Sequence, residues 1–535
     1  MKKYDVIVVG GGAAGLTTAA YTAKTGLSVA LFEKQKTLGG LVQSVNRNGF
    51  IFDMGLRAIE DAGIVLPMLK ELNIPIKYVK SIVSIGIEES IINITSKKSL
   101  ETYKEFLKSF FPENKRDIDE ILKSIKKVMK NMDVLYGVEN PLFKDLKRDF
   151  PYIFKTLLPW IFKFIFTIGK INRMQEPVEK FLETLTDNRA LRDIIGQHFF
   201  SQTPAFFAMS YFSVYLDYIY PEGGTASVMN LLSDFVKAQK VQINTGTMIL
   251  KVDPEKQSVT DEKGDTWFYK KLVWCGNLNS LYDSINLQNI SHNSVKMVIK
   301  QRKNQLKKLK GGDSVFSLFL SVDQPPEYFK KISEGHFFYS PHSKGLGDIK
   351  TRHLPQLLEN YDTYTDPVEK VKEYVKEYVT LNTFEISIPV LKDSSLAPQG
   401  KTGLIVSCLF DYSLTKKVFD NGWYEKFVSF FSESIIEVLT HSVYPGLEEK
   451  ILDHFAVSPV SIEHITGNEQ GAITGWAFSG DTVPVPHKMQ DINKTIKTPI
   501  RNIFKAGQWS YSPSGFPIAI LTGKIAADKV VKELK

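Results

Sequence analysis

Three glycines at the spacing G-x-G-x-x-G, Gly10, Gly12 and Gly15, and an acid further along, Glu33, are the residues of this chain whose types and spacing most plainly point to chemistry. A phosphate needs unpaired backbone N–H donors with no side chain in the way, and a ribose needs an acceptor for its hydroxyls. Gly10 permits a tight turn, Gly12 lets the backbone approach a pyrophosphate, and Gly15 allows a helix to pack closely on a strand. Ala13 and Ala14 complete the candidate phosphate site at the helix N-terminus. Glu33 would accept hydrogen bonds from both ribose hydroxyls and repel a 2′-phosphate, so the pattern suits FAD or NAD better than NADP.

The elements that must position these residues are legible around them. Val6 to Val9 read as a buried strand, Ala13 to Ala23 as a helix of small residues, and Ser28 to Phe32 as a second strand, which together make one βαβ unit. From about Leu100 to about Tyr218 the pattern turns helical: Ile118, Ile121, Leu122, Ile125, Val128, Met129 and Met132 fall on one helix face. Strands resume over 241–252 and 267–274, with a turn at 261–265, and a long mixed region runs to about Thr495.

The segment after the acid, Glu33-Lys34-Gln35-Lys36-Thr37-Leu38-Gly39-Gly40, then Gly49-Phe50-Ile51-Phe52-Asp53-Met54-Gly55, resembles the flavoprotein superfamily of amine oxidases, phytoene desaturases, carotenoid isomerases and retinol saturases. The resemblance implies FAD as cofactor, held without a covalent link, with Lys34, Gly39, Gly40 and Leu41 beside it. Leu41 stands where many members carry arginine. Near the C-terminus, Ile503-Phe504-Lys505-Ala506-Gly507-Gln508-Trp509 looks like the superfamily's strand ending in A-G-D, with Gln508 in place of aspartate, and the helix begun by Pro517 and Ile518 is expected to aim its N-terminus at the flavin ring. Tyr220-Pro221-Glu222-Gly223-Gly224 and Thr466-Gly467-Asn468-Glu469-Gln470-Gly471-Ala472-Ile473-Thr474-Gly475-Trp476 are similar to turns of the desaturase, isomerase and saturase branch, the latter expected near the substrate entrance and the flavin. Ile249 falls where relatives hold the adenine by a strand backbone.

The fold so implied is α/β: a Rossmann-like FAD domain of the two-dinucleotide-binding type, built from about 1–80, 221–285 and 495–535, interleaved with a mixed-sheet substrate domain from 81–220 and 286–494 that carries the helical insertion at about 100–218. The favoured activity is oxidoreduction of carbon–carbon bonds (desaturation, saturation or isomerisation) in a hydrophobic isoprenoid, carotenoid-like or lipid substrate, by hydride transfer at flavin N5. Two other readings stand beside it: a flavin amine oxidase, for which Trp476 and Trp509 could supply an aromatic cage, and a flavin-bearing escort protein without catalysis. Arg57, Glu60 and the neighbouring Asp61, just after the F-D-x-G stretch, and His198 are candidates for the second proton; surface charge and core histidine are their blander readings. The aromatic run from Phe199 to Tyr220 fits either a substrate tunnel or ordinary core. An electron donor or acceptor of unassigned identity is implied.

With 535 residues, 43% of them hydrophobic, two or three domains are expected. Cys275 and Cys408 form neither a CxxC nor a Cys/His cluster, so no metal site or disulfide framework is indicated and a reducing cytoplasm is expected; Met1-Lys2-Lys3 leads straight into the first strand, with no signal peptide. A net charge of +8 on a chain with 59 acidic residues does not point to nucleic acid, and the basic stretch 300–310 reads as a solvated helix face. The stretch 151–170 is apolar but carries Lys155, Lys163 and Pro159 in its interior. It is expected either to lie along the inner face of the cytoplasmic membrane, lysines towards the headgroups, Trp160 at the boundary and Phe164 among the apolar residues, or to be a core helix under the insertion.

Overall fold

The computed structural model describes residues 2–144, 149–478, 485 and 489–535. Lys2–Val9 runs parallel to Val29–Phe32 on one side and to Thr266–Trp274 on the other, with Gln242–Asn244 beyond the second strand and Ile503–Lys505 parallel to the end of Thr266–Trp274. Ser258–Asp261 and Ile249–Asp253 extend this sheet antiparallel, and the turn at 261–265 joins two of its strands. Helix Ala13–Ala23 is buried along its whole length. Its small residues permit that: a Cβ on Gly523 of helix Phe516–Leu534 would come within 2.6 Å of the Ala14 carbonyl oxygen, so the two helices meet backbone to backbone.

A second seven-stranded sheet has the order Ile451–Val457, Ser314–Val322, Thr402–Phe410, Phe384–Ser387, His336–Ser340, Val83–Ile87, Ser90–Ile94, antiparallel except where His336–Ser340 runs with Val83–Ile87. Residues directly opposed in a sheet project to one face. Leu318, Val406, Ile386 and Phe337 therefore point together into a large apolar core under helices Pro367–Leu381 and Tyr424–His441. The other face carries Ser317, Ser407, Glu385 and Phe338 in one row.

The helical stretch begins with Ser99–Phe110 and Lys115–Tyr136, and all seven apolar residues read as one face, Ile118 to Met132, are buried. Phe150–Ile171 is helical throughout, with a π-turn over Ile153–Leu157. It is not the core helix that one reading expected: Phe150, Phe154, Phe162, Ile165 and Phe166 are 59–74% exposed. Nor does Trp160 face outward. It turns towards Lys115–Tyr136, donates its indole N–H to the Val134 carbonyl and packs on Phe164, because a buried indole N–H needs an acceptor that this carbonyl supplies. In the basic stretch, Lys300, Lys307, Lys308 and Lys310 are exposed, as a solvated face requires.

Candidate active site

The glycines of the first turn divide into those the protein itself requires and one it does not. Gly10 has φ +104°, and a Cβ on Gly15 would lie 1.8 Å from the Gly10 carbonyl oxygen. Gly12 has φ −80° and ψ −170°, open to any residue, and its Cβ would meet only the Gly40 backbone, Cα at 3.6 Å and N at 4.0 Å, among the described residues. The loop after Glu33 folds back on this turn: Gly39 N–H donates to the Gly11 carbonyl at 2.9 Å, and Gly40, at φ +62°, stacks on Gly12. Leu41 supports the next segment, its carbonyl oxygen 2.0 Å from where a Cβ on Gly55 would stand. Among the described residues no side chain caps the helix at Gly12, so its first-turn N–H groups are left for a ligand to use.

Glu33 accepts from Gly11 N–H at 2.6 Å and Gln35 N–H at 2.9 Å, one on each carboxylate oxygen. That fixes the carboxylate and leaves lone pairs for ribose hydroxyls. The stretch 244–247 lies alongside, with Thr247 N–H on the Glu33 carbonyl and Gly246 N–H on that of Gln35; Ile249 itself is buried at the start of the following strand. At the other end, Gly507 at φ +94° donates its N–H to Thr522 Oγ1, Gln508 is half-buried, and helix Phe516–Leu534, with Pro517 and Ile518 in its first turn, has no side-chain cap. Ser514 Oγ beside that N-terminus is buried and has no hydrogen-bond partner among the described residues. An open glycine cradle, an uncapped helix start and this orphaned hydroxyl fit a dinucleotide laid from Glu33 to Gln508.

The T-G-N loop lies along this groove. Asn277 Nδ2 donates to the Gly467 carbonyl, Gln35 Nε2 holds the Ile465 carbonyl, and Lys34 reaches Gly467 at the Glu33 end; at the far end Gly475 packs on Gln508. Trp476 and Trp509 sit edge to face at 4.8 Å, are 1% and 2% exposed, and both donate their indole N–H, to the Trp509 carbonyl and to Asn468 Oδ1. The two rings therefore meet edge to face and do not form the facing pair of walls that an aromatic cage needs.

Beyond the groove lies a deep chamber between the F-D-x-G segment and the polar face of the second sheet. Arg57 is neither a surface charge nor a free proton carrier: it is 4% exposed and donates to the Asp53 carbonyl, to Ser407 Oγ at 2.9 Å and to Ser317 Oγ at 3.3 Å. Asp53 in turn accepts from Ser44, Thr225 and Tyr220. Lys392 Nζ donates to the Arg57 carbonyl and Ser387 Oγ and stands 4.2 Å over the Tyr220 ring, and burial lowers it to about 7. Glu385 accepts from His336 Nε2 at 3.0 Å, and His336 stacks on Tyr218 at 5.3 Å. Glu385 is 35% exposed, and Glu60, His198, Tyr218 and Lys392 are likewise half-buried, so these polar groups line an opening rather than solid core.

His198 is the satisfied histidine of the blander reading: Nδ1 pairs with the Tyr215 hydroxyl at 2.9 Å, the ring packs on Phe338, and burial lowers it to about 4. The aromatic run divides. Tyr211, Phe212, Tyr215 and Tyr220 are buried core, whereas Phe199, Phe200 and Tyr218 stay half-open. From the chamber, Val315 and Leu409 continue the row on the same sheet face and are also half-open. Next come Asp313 and Asp411, which line a cavity of about 420 Å³ shared with Phe200, Thr474, Trp476 and Phe478.

Glu60 is pushed up to about 8, by burial first and then by Asp217 and Asp61. Those two are tied down by backbone donors, Ala62 N–H and Leu66 N–H; among the described residues no hydrogen bond holds Glu60. The native state thus binds a proton that the unfolded chain releases in the ordinary carboxylate range, a contribution to stability present at low pH and lost as pH rises through the folded value. Glu60→Gln keeps the neutral shape, so it should melt with wild type near about pH 5 and above it near about pH 9. Identical melting curves at both would mean that Glu60 ionises as freely as an exposed acid.

Residues 8–72 match the family model for an NAD(P)-binding Rossmann-like domain. Over nearly its whole length the chain is similar to all-trans-retinol 13,14-reductase of Danio rerio, 23% identical with 98% of this chain and 86% of that protein covered. It is also similar to 1-hydroxycarotenoid 3,4-desaturase of Flavobacterium sp., 22% identical with 99% of each covered. The chain is a phytoene desaturase-like, FAD-dependent oxidoreductase. A putrescine oxidase variant superposes with TM-score 0.61 at 14% identity, covering 99% of both chains, a likeness of fold. This phytoene desaturase-like enzyme thus has a groove whose Rossmann part a family model finds, and a chamber built from residues scattered between Asp53 and Lys392 that carries no spacing signature.

Proposed function

We propose that this flavoenzyme changes the carbon–carbon unsaturation of an isoprenoid or comparable lipid that reaches the chamber from a membrane surface. FAD, when bound, exchanges hydride at N5. The groove's residues orient it: Gly12, Ala13 and Ala14 at the pyrophosphate, Glu33 at the ribose, and the start of helix Phe516–Leu534 towards the ring. The observation that carries the substrate reading is the cavity at Asp313 and Asp411 with the half-open Val315 and Leu409 next to it on the sheet face, a lining with both apolar and polar parts that suits one end of an elongated molecule. The curated relatives named for retinol and carotenoid chemistry support the same class. Amine oxidation loses its proposed cage, since Trp476 and Trp509 are occupied with each other.

The exposed helix Phe150–Ile171 supplies the motive for a lipid surface, because an apolar substrate that leaves a bilayer directly into the protein never crosses water. The reading is tested by anaerobic mixing of the FAD-loaded enzyme with phytoene or all-trans-retinol in micelles, and of the chemically reduced enzyme with the same compounds. Loss of oxidised-flavin absorbance in the first mixture, or its return in the second, is the expected result. A response to putrescine and to neither polyene would overturn it.

A further inference from the structure

Asp313 and Asp411 stand one position beyond the last paired residues of two strands, Ser314 and Phe410, so they oppose each other at the sheet's end on the face that carries Val315 and Leu409. Both line the cavity of about 420 Å³, where two directly opposed carboxylates repel. Backbone donors hold each of them. Asp313 Oδ2 accepts from Ser201 N–H, and Asp411 Oδ1 accepts from Leu414 N–H at 2.8 Å as the cap of helix Tyr412–Asp420. Among the described residues no side chain pairs with either carboxylate, and lone pairs on both remain for a donor from the cavity. Burial raises the Asp411 carboxyl, and Asp313 adds to the rise against Lys350 and the backbone donors, so the anion there is short of partners. Thr474 lines the same cavity, is 8% exposed, and its hydroxyl has no partner among the described residues. We propose that Asp313 and Asp411 bind a hydroxyl at the end of the elongated substrate and so select it over a bare hydrocarbon.

The proposal rests on the carbon–carbon reading above and deepens it by naming the substrate's end group. An ionised carboxylate only accepts, so the end of the chain has to donate. A hydrocarbon end would shut both acids away from water and give them nothing in return. A carboxylate end would add a third negative charge. An ammonium is not called for either, because Lys308 and Lys310 in the same lining already balance the two acids. A neutral hydroxyl matches what is left. The carbon chain behind it meets an apolar wall, in which Phe200 and Phe478 stand edge to face at 6.5 Å and Phe410 and Trp476 are buried. The cavity is also one loop away from the cofactor groove: the stretch from Thr474 to Trp476 that lines it packs on Gln508, whose carbonyl oxygen lies 2.3 Å from where a Cβ on Gly475 would stand. The two acids are specificity residues and take no part in the hydride step.

Fluorescence titration of the FAD-loaded protein under argon compares all-trans-retinol with retinyl methyl ether, which has the same polyene chain and no donor. Wild type should bind retinol about 10-fold or more tightly than the ether, the difference expected for a hydrogen bond to a charged acceptor. In Asp313→Asn/Asp411→Asn the amide oxygens can keep the backbone donors and turn N–H groups into the cavity, so retinol should fall to the affinity of the ether at unchanged FAD content. Equal affinities in wild type, or a preference for retinol that survives in the double variant, overturn the proposal and leave the carbon–carbon reading standing. Tighter binding of retinylamine than of retinol overturns it in favour of an ammonium end. Wild type that takes up none of retinol, its ether and phytoene sinks the functional reading, and the proposal falls with it.

Discussion

Gly12→Val should give a folded protein that no longer takes up FAD. The expectation follows from what the protein itself asks of that position. With φ at −80° and only Gly40 backbone atoms, at 3.6 Å and 4.0 Å, near a Cβ, nothing in the described residues forbids a side chain there. The glycine is needed only if a pyrophosphate comes against the backbone, and valine would fill that space. Gly15→Ala is the contrast, since its Cβ would sit 1.8 Å from the Gly10 carbonyl oxygen and the turn would have to open, so this variant should lose stability as well as cofactor. Glu33→Ala should weaken FAD without abolishing it, because it removes hydrogen bonds worth about 1.5–3 kcal/mol each to a charged acceptor. Fluorescence titration with FAD, alongside thermal melting, separates the three; wild-type affinity in Gly12→Val would put the cofactor elsewhere.

How much could be read in advance depends on whether the constraint is local. Gly10, Gly15, Gly39 and Gly507 are dictated by backbone geometry within a few residues or by one close approach, so the groove is visible in the order of residue types. The helix face from Ile118 to Met132 is equally local. The chamber is assembled by sheet register instead: Glu385 meets His336 only because Phe338 pairs with Glu385 across two strands, and Ser407 meets Arg57 from a third. No spacing announces such contacts. Arg57 and Glu60 were visible as charges after the F-D-x-G stretch, but whether each is tied or free depends on Ser317, Ser407 and Asp217, hundreds of residues away for the first two. Trp160 was misjudged for a related reason. Periodicity gives a helix face, whereas the Val134 carbonyl that draws the indole inward belongs to another helix.

Phe162→Glu/Phe166→Glu should abolish association with lipid vesicles while leaving FAD bound. Phe150, Phe154, Leu158, Phe162 and Phe166 follow one another four residues apart, with Ile161 and Ile165 beside them, so they form one continuous ridge, and every one of them is at least 37% exposed. Covering a large apolar side chain is worth about 1.5–3 kcal/mol, and a ridge of this size is rarely left to water. The same helix is 22 residues long and, by length and composition, apolar enough to span a bilayer. A span is nevertheless disfavoured: Lys155 and Lys163 lie within it, at about 2.5–3.5 kcal/mol each near a bilayer centre, and Trp160, Thr167 and Ile171 are already turned to the protein. Lying flat places the ridge in the acyl boundary and leaves the exposed Lys155, Lys163 and Lys170 for anionic headgroups. Wild-type protein should float with anionic vesicles at low ionic strength, less so with neutral ones, and the double variant should stay below. Since Phe162 and Phe166 are 66% and 74% exposed, their replacement costs the fold little, and retained flavin colour checks that. Wild-type protein that remains in the dense fraction with anionic vesicles would leave the ridge without a lipid partner and the route into the chamber without its source.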